Sequence, residues 1–189
     1  MRDSSKACLG KRRAVDICPF PCYPKIIGSE GECAMRLYLV QHGEAKPKSE
    51  DPARPLSEQG VSDVTRMAAF ARGAGVEVAQ IRHSGKRRAE ETAAILAEQL
   101  EPPQGVVVLP GLAPKDDVQP VAEFLGRETR NLMFVGHRPF MDRLAALLVM
   151  GVQNRKLLRF QRGGIVCLER DPKTRAWVVR WVVTPELIP

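Results

Sequence analysis

From Met35 onward the chain alternates short apolar runs with longer stretches whose apolar residues recur every three or four positions. The short runs predict strands at 35–40, near 77–82, at 106–109 and at 131–135, and a C-terminal hairpin at 164–169 and 176–183. The longer stretches predict helices. Ser57 fits the N-cap of one that runs to about Arg72, with Val61, Val64, Met67, Ala68 and Ala71 along a single face. A second runs from about Lys86 to Leu100, a third from about Val118 to Leu125, and a fourth from Pro139 to Val149. Pro139 suits a first turn, where a missing N–H costs nothing. Strand, loop and helix in repeated succession imply an α/β domain, and no internal repeat or low-complexity tract interrupts it.

Residues 1–34 lack either periodicity, carry Pro19, Pro21 and Pro24, and end where the first strand begins. They read as a disordered extension to a domain at 35–189, with a redox or metal-binding tail as the alternative, because Cys8, Cys18, Cys22 and Cys33 all fall there. Their spacings match no tight zinc knuckle, and no histidine accompanies them. No apolar run followed by a small-residue cleavage site marks a secretory signal, so the expected compartment is the cytoplasm.

Composition narrows the class. Of 189 residues, 44% are apolar and 27% charged, as in an ordinary globular protein, and no apolar run is long enough to suggest a membrane span. The net charge is +7, and removing the six Lys/Arg and four Asp/Glu of residues 1–34 leaves +5 on the domain. Such a surface favours anions in general. No interleaved aromatics or nucleic-acid module accompany it, so neither nucleic acid nor a membrane is expected as a partner, and most of these Lys and Arg read as a solvated basic surface. The oligomeric state is not legible.

In a parallel sheet, the loops that follow the strands gather at one edge, and ligands bind there. Three such loops carry chemistry: Gln41-His42-Gly43-Glu44, the segment "HSGKRRAEET" from His83, and "VGHRP" with His137. Two of the three histidines thus stand just past strand ends. His83 reads instead as a packing residue. Among the basic cluster Arg82, Lys86, Arg87 and Arg88, most members read as solvated surface charge.

Four segments in this order resemble the histidine phosphatase superfamily, whose members include the phosphoglycerate mutases, and among them the small SixA-type phosphohistidine phosphatases. They are "LYLVQHGEA", "RPLSEQG", "HSGKRRAEETA" and "VGHRP", and the resemblance spans essentially all of 35–189. It implies a three-layer α/β/α fold with a mostly parallel central sheet, phosphoglycerate mutase-like, and a C-terminal hairpin. It also implies a metal-independent phosphatase that needs no cofactor and acts on phosphohistidine of a protein substrate. His42 is implied as the nucleophile, forming a phosphohistidine intermediate; neutral imidazole is nucleophilic near pH 7. Arg88 is implied as the guanidinium clamp on the phosphoryl oxygens, and His137, when protonated, as a second electrostatic partner. Gln41, Arg88 and His137 would bind phosphate, with Gly43, Arg54 and Ser84 as further pocket candidates.

Two features depart from the family. Gln41 stands where the family has arginine, which removes a charge-assisted hydrogen bond worth roughly 1.5–3 kcal/mol. Arg138 and Arg54 are candidates to replace that charge. The stretch "LPGLAPKDDV" also lacks the glutamate that larger relatives use as general acid, and leaves only Asp116 and Asp117, adjacent acids that suit a helix start. An acid-poor site fits a P–N bond better than a phosphate ester. A small-molecule phosphomonoesterase and a catalytically weak phosphate- or phosphohistidine-binding module are the rival readings.

Overall fold

The computed structural model describes residues 34–188; the expectations for residues 1–33 lie outside the described residues. A six-stranded sheet has the order β3-β2-β4-β1-β5-β6. Its strands are β1 (Met35–Gln41), β2 (Gln80–His83), β3 (Val106–Val108), β4 (Leu132–Gly136), β5 (Ile165–Arg170) and β6 (Trp177–Val183). β1 to β4 pair in parallel, whereas β5 runs antiparallel to both β1 and β6. The expected hairpin therefore extends the central sheet itself, with β5 against β1.

Alternation along β1 divides the core into two layers. Leu37 and Leu39 face Phe134, Leu132, Val166 and Leu168, and are covered by α3 (Gln119–Arg127) and α4 (Phe140–Met150). Tyr38 and Val40 face Met133, Val135, Ile165 and Cys167, and are covered by α1 (Glu58–Gly73) and α2 (Arg87–Leu100). The architecture is three-layer α/β/α, as the sequence implies.

Local deviations have identifiable causes. The apolar pair Val76 and Val78 resembles a strand start, but both side chains pack beneath α1 and α2 from a loop, and β2 begins only at Gln80. Val61 was expected on the buried face of α1, yet it is 44% exposed. Gly60 takes the inward position one residue earlier. Ser57 caps α1, its hydroxyl accepting from the Gly60 N–H at 3.1 Å, while the Ser57 N–H donates to the Glu44 carbonyl at 2.9 Å.

The sheet's opposite edge is held by Arg170, only 3% exposed, whose guanidinium donates to the carbonyls of Leu125, Gly126 and Glu128 at the end of α3. Orphan carbonyls at a helix end and a cation satisfy each other there.

A Cβ built on Gly60 would stand 2.1 Å from the Glu44 carbonyl oxygen. Backbone on both sides leaves no flexible side chain to yield. Gly60→Ala is expected to cost at least the ~1–3 kcal/mol typical of overpacking. Urea unfolding of the purified variant checks this, and an unchanged midpoint would show that the loop after β1 is free to shift.

Candidate active site

The parallel arrangement places the ends of β1, β2 and β4 side by side, and three sequence-predicted residues meet there. The rings of His42 and His137 lie 4.8 Å apart between centroids, inclined at 57°. Arg88, in the first turn of α2, donates from Nε to His42 Nε2 at 3.1 Å. On the other side of that ring, His42 Nδ1 lies 2.6 Å from the Gly43 carbonyl. A carbonyl can only accept, so Nδ1 carries the proton and the lone pair resides on Nε2. Nε2 is thus the ring nitrogen with a lone pair to offer.

Gly43 is structural to this arrangement. Its N–H donates to Thr92 Oγ1 at 3.0 Å, and that hydroxyl donates to the Arg88 carbonyl at 2.7 Å. A Cβ at position 43 would meet Val64 Cγ2 at 2.7 Å. Ser84 contacts His137, its Oγ 2.6 Å from Nε2. Gln41 Oε1 and His137 Nδ1 are buried polar atoms without hydrogen-bond partners, as are Asp142 Oδ1 and Arg143 Nε on α4, and a polar ligand would satisfy the first two.

Burial and nearby cations keep both imidazoles neutral. Desolvation pushes the His42 pKa down to about 4; the Gly43 carbonyl opposes it, and Arg88, Arg162 and Arg54 add to it. Desolvation likewise pushes His137 down to about 3, with His42, Arg88, Lys86 and Arg54 reinforcing it. Neutral His42 suits a nucleophile. His137 is neutral in this arrangement too, whereas the sequence reading assigns it a protonated form.

Other candidates take definite places. Arg54 adopts a left-handed φ of 54° and donates from Nε to the Lys46 carbonyl at 3.3 Å, with its charge felt by both histidines. Arg138 is exposed and pairs with Asp142 at 2.7 Å, so its charge is already engaged on α4. Asp116 accepts from the Ala113 N–H and Asp117 from the Gln119 N–H, so both carboxylates serve the turn before α3. Neither hydrogen-bonds to either histidine. His83 is buried and its Nδ1 accepts from the Gly85 N–H, a packing role.

Arg162 is a charged residue near this edge that the strand-end pattern did not point to: β5 runs the other way, so the residues before β5 reach the same edge, and the Arg162 charge is felt by His42. The signal was the hairpin itself: antiparallel pairing with β1 brings the segment before Ile165 beside Gln41.

The chain is similar to several known proteins. A model of the histidine phosphatase superfamily (branch 1) matches residues 37–114. Phosphohistidine phosphatase SixA of Escherichia coli (strain K12) is 30% identical over 122 residues, covering 62% of this chain and 76% of that protein. The structure of the protein histidine phosphatase SixA complexed with tungstate superposes with a TM-score of 0.70 at 26% identity, covering 80% of this chain and 97% of that one. The alpha-ribazole phosphatase of Shigella flexneri shares the fold, with a TM-score of 0.61 at 16% identity over 80% of this chain and 97% of its own.

The lowered histidine pKa values link stability to pH. Below pH 6.5 the unfolded chain protonates these histidines while the folded site resists, so stability falls as pH drops from about 6.5 toward 4. Each kcal/mol lost lowers Tm by about 2–4 °C in a protein of this size. The double variant His42→Asn/His137→Gln is expected to lose fewer degrees than wild type between pH 7 and pH 5. Parallel Tm profiles for the two proteins would show that these rings titrate normally.

Proposed function

Since this chain belongs to the histidine phosphatase superfamily and is a phosphatase of that family, we propose that its substrate is phosphohistidine on a protein and that His42 is its nucleophile. The observation that carries the reading is an imidazole with its tautomer fixed, beside a guanidinium, with no carboxylate among the described residues hydrogen-bonded to either histidine. Tungstate, present in the SixA complex, is a tetrahedral oxyanion like phosphate, and its binding by that similar protein supports a phosphoryl ligand for this one.

His42 Nε2 attacks phosphorus opposite the substrate's P–N bond; the new P–Nε2 bond forms as that bond breaks. A substrate imidazole protonated on its far nitrogen departs as a neutral ring, so no acid need reach the scissile nitrogen. One imidazole replaces another. Water then attacks the phosphorus of phospho-His42, the P–Nε2 bond breaks, phosphate leaves, and one proton passes to solvent. Arg88, which donates to Nε2 in this structure, exchanges that bond for phosphoryl oxygens and stabilises the charge they carry in the transition state.

His137 changes role with the ligand. Burial first, and the nearby cations with it, hold it neutral; the negative charge of a bound phosphoryl group opposes both, raises its pKa and draws in a proton. Its protonation therefore follows binding.

A phosphoserine peptide supplies the discriminating substrate, because its alkoxide needs the proton that an acid would give. The expected kcat/KM on a phosphohistidine protein exceeds that on phosphoserine by roughly 10²–10⁴, the usual worth of general acid catalysis. Comparable rates would return the small-molecule phosphomonoesterase reading. His42→Ala is expected to abolish phosphate release together with the acid-labile, alkali-stable phosphoenzyme; full activity in that variant would exclude the covalent route. Binding of phosphohistidine peptides by wild type with no turnover would make the protein a binding module.

A further inference from the structure

The missing guanidinium at position 41 and the guanidinium at position 162 stand on adjoining backbone. β5 pairs antiparallel with β1, Val40 opposite Ile165, so residues 161–164 lie beside the strand end that carries the nucleophile. The Gly163 N–H donates to the Gln41 carbonyl at 2.9 Å and reaches the His42 carbonyl at 3.3 Å. The Gly164 N–H returns to the Gln161 carbonyl at 3.0 Å, closing a tight turn over Gln161–Gly164. Gly163 has φ 73°, as the third position of a type II turn requires. Arg162 occupies the second position, so a turn clamped to Gln41 presents its side chain.

That side chain is loosely held. Arg162 Nη1 pairs with Glu44 Oε2 at 3.1 Å, with the two side chains 57% and 45% exposed, and the other Glu44 oxygen accepts from Ser57 Oγ at 3.2 Å. An exposed pair of this kind gains little, so a phosphoryl dianion can replace the carboxylate as its partner. Glu44 is two residues beyond His42, which keeps the guanidinium at the site's rim. Its charge already reaches His42, where it helps depress the imidazole pKa. The other cations are placed differently: Arg138 pairs with Asp142, and Arg54 is tied to the Lys46 carbonyl in the loop before α1.

We propose that Arg162 is a phosphate-binding residue, supplying from the turn before β5 the guanidinium that position 41 lacks, with Glu44 holding it until a phosphoryl oxygen takes the carboxylate's place. The proposal rests on the phosphatase reading of the same site. It makes positions 41 and 162 alternative sources of one charge, so their substitutions are not independent.

A double-mutant cycle with orthovanadate as the probe, read by isothermal titration calorimetry at pH 7.5, tests this. In the natural Gln41 background, Arg162→Gln is expected to weaken vanadate binding roughly tenfold, the effect of losing one charge-assisted hydrogen bond. In the Gln41→Arg background the same substitution is expected to cost less than about twofold, because the charge has another source. Arg162→Lys should fall between wild type and Arg162→Gln, since it keeps charge without the fork. Equal losses in both backgrounds, no loss in either, or no vanadate binding by wild type would overturn the proposal. A structural role alone would lower Tm in Arg162→Gln and leave affinity unchanged, which also overturns it. Failure of the phosphohistidine reading looks different: no release from phosphohistidine protein, with the dependence of vanadate binding on Arg162 intact.

Discussion

The Gly43 peptide is the constraint on which the catalytic edge depends. Its carbonyl takes the Nδ1 proton of His42, which assigns the lone pair to Nε2. Its N–H is fixed by Thr92, whose hydroxyl is in turn bound to the carbonyl of Arg88. His42 and Arg88 are therefore oriented by a single chain of hydrogen bonds that runs from β1 into the first turns of α2. The absent side chain matters equally: Val64 of α1 occupies the space a Cβ would need. One peptide thus transmits the packing of two helices to the orientation of one imidazole ring.

Electrostatics explain why that orientation requires burial. Two imidazoles 4.8 Å apart, with Arg88 against one of them, would repel each other if both were protonated. Desolvation and the surrounding cations hold both neutral, and this gives His42 its nucleophilic form well below pH 6.5. On the proposed function, a phosphoryl anion bound by the same cations would raise the His137 pKa, so that positive charge first suppresses protonation and then attracts the group that restores it.

Much of the fold was legible because its signals are local. Ser57 caps α1, Pro139 precedes α4, and the alternation in β1 separates two core layers. Errors arose where a local pattern was satisfied by a nonlocal contact. Val76 and Val78 alternate like a strand, but the space beneath α1 and α2 buries them without ladder pairing. Gly60 gave no sign of replacing Val61 on the inner face, because the reason is the Glu44 carbonyl, sixteen positions away in sequence. At the site, His42, Arg88 and His137 were legible because each follows a strand in the same direction. Arg162 was not, because its arrival depends on the direction of β5, which only the pairing with β1 decides.

That reversal of direction also separates function from stability. Because β5 is antiparallel, its first residues lie at the catalytic edge and its last residue, Arg170, lies at the opposite edge, paired in register with Met35. The Arg170 guanidinium is buried against the carbonyls at the end of α3, whereas the Arg162 guanidinium is exposed and paired with the Glu44 carboxylate. A buried cation with several fixed acceptors is costly to displace, whereas an exposed ion pair contributes little and exchanges readily. The strand can therefore be anchored firmly at one end while the turn at its other end presents a replaceable charge.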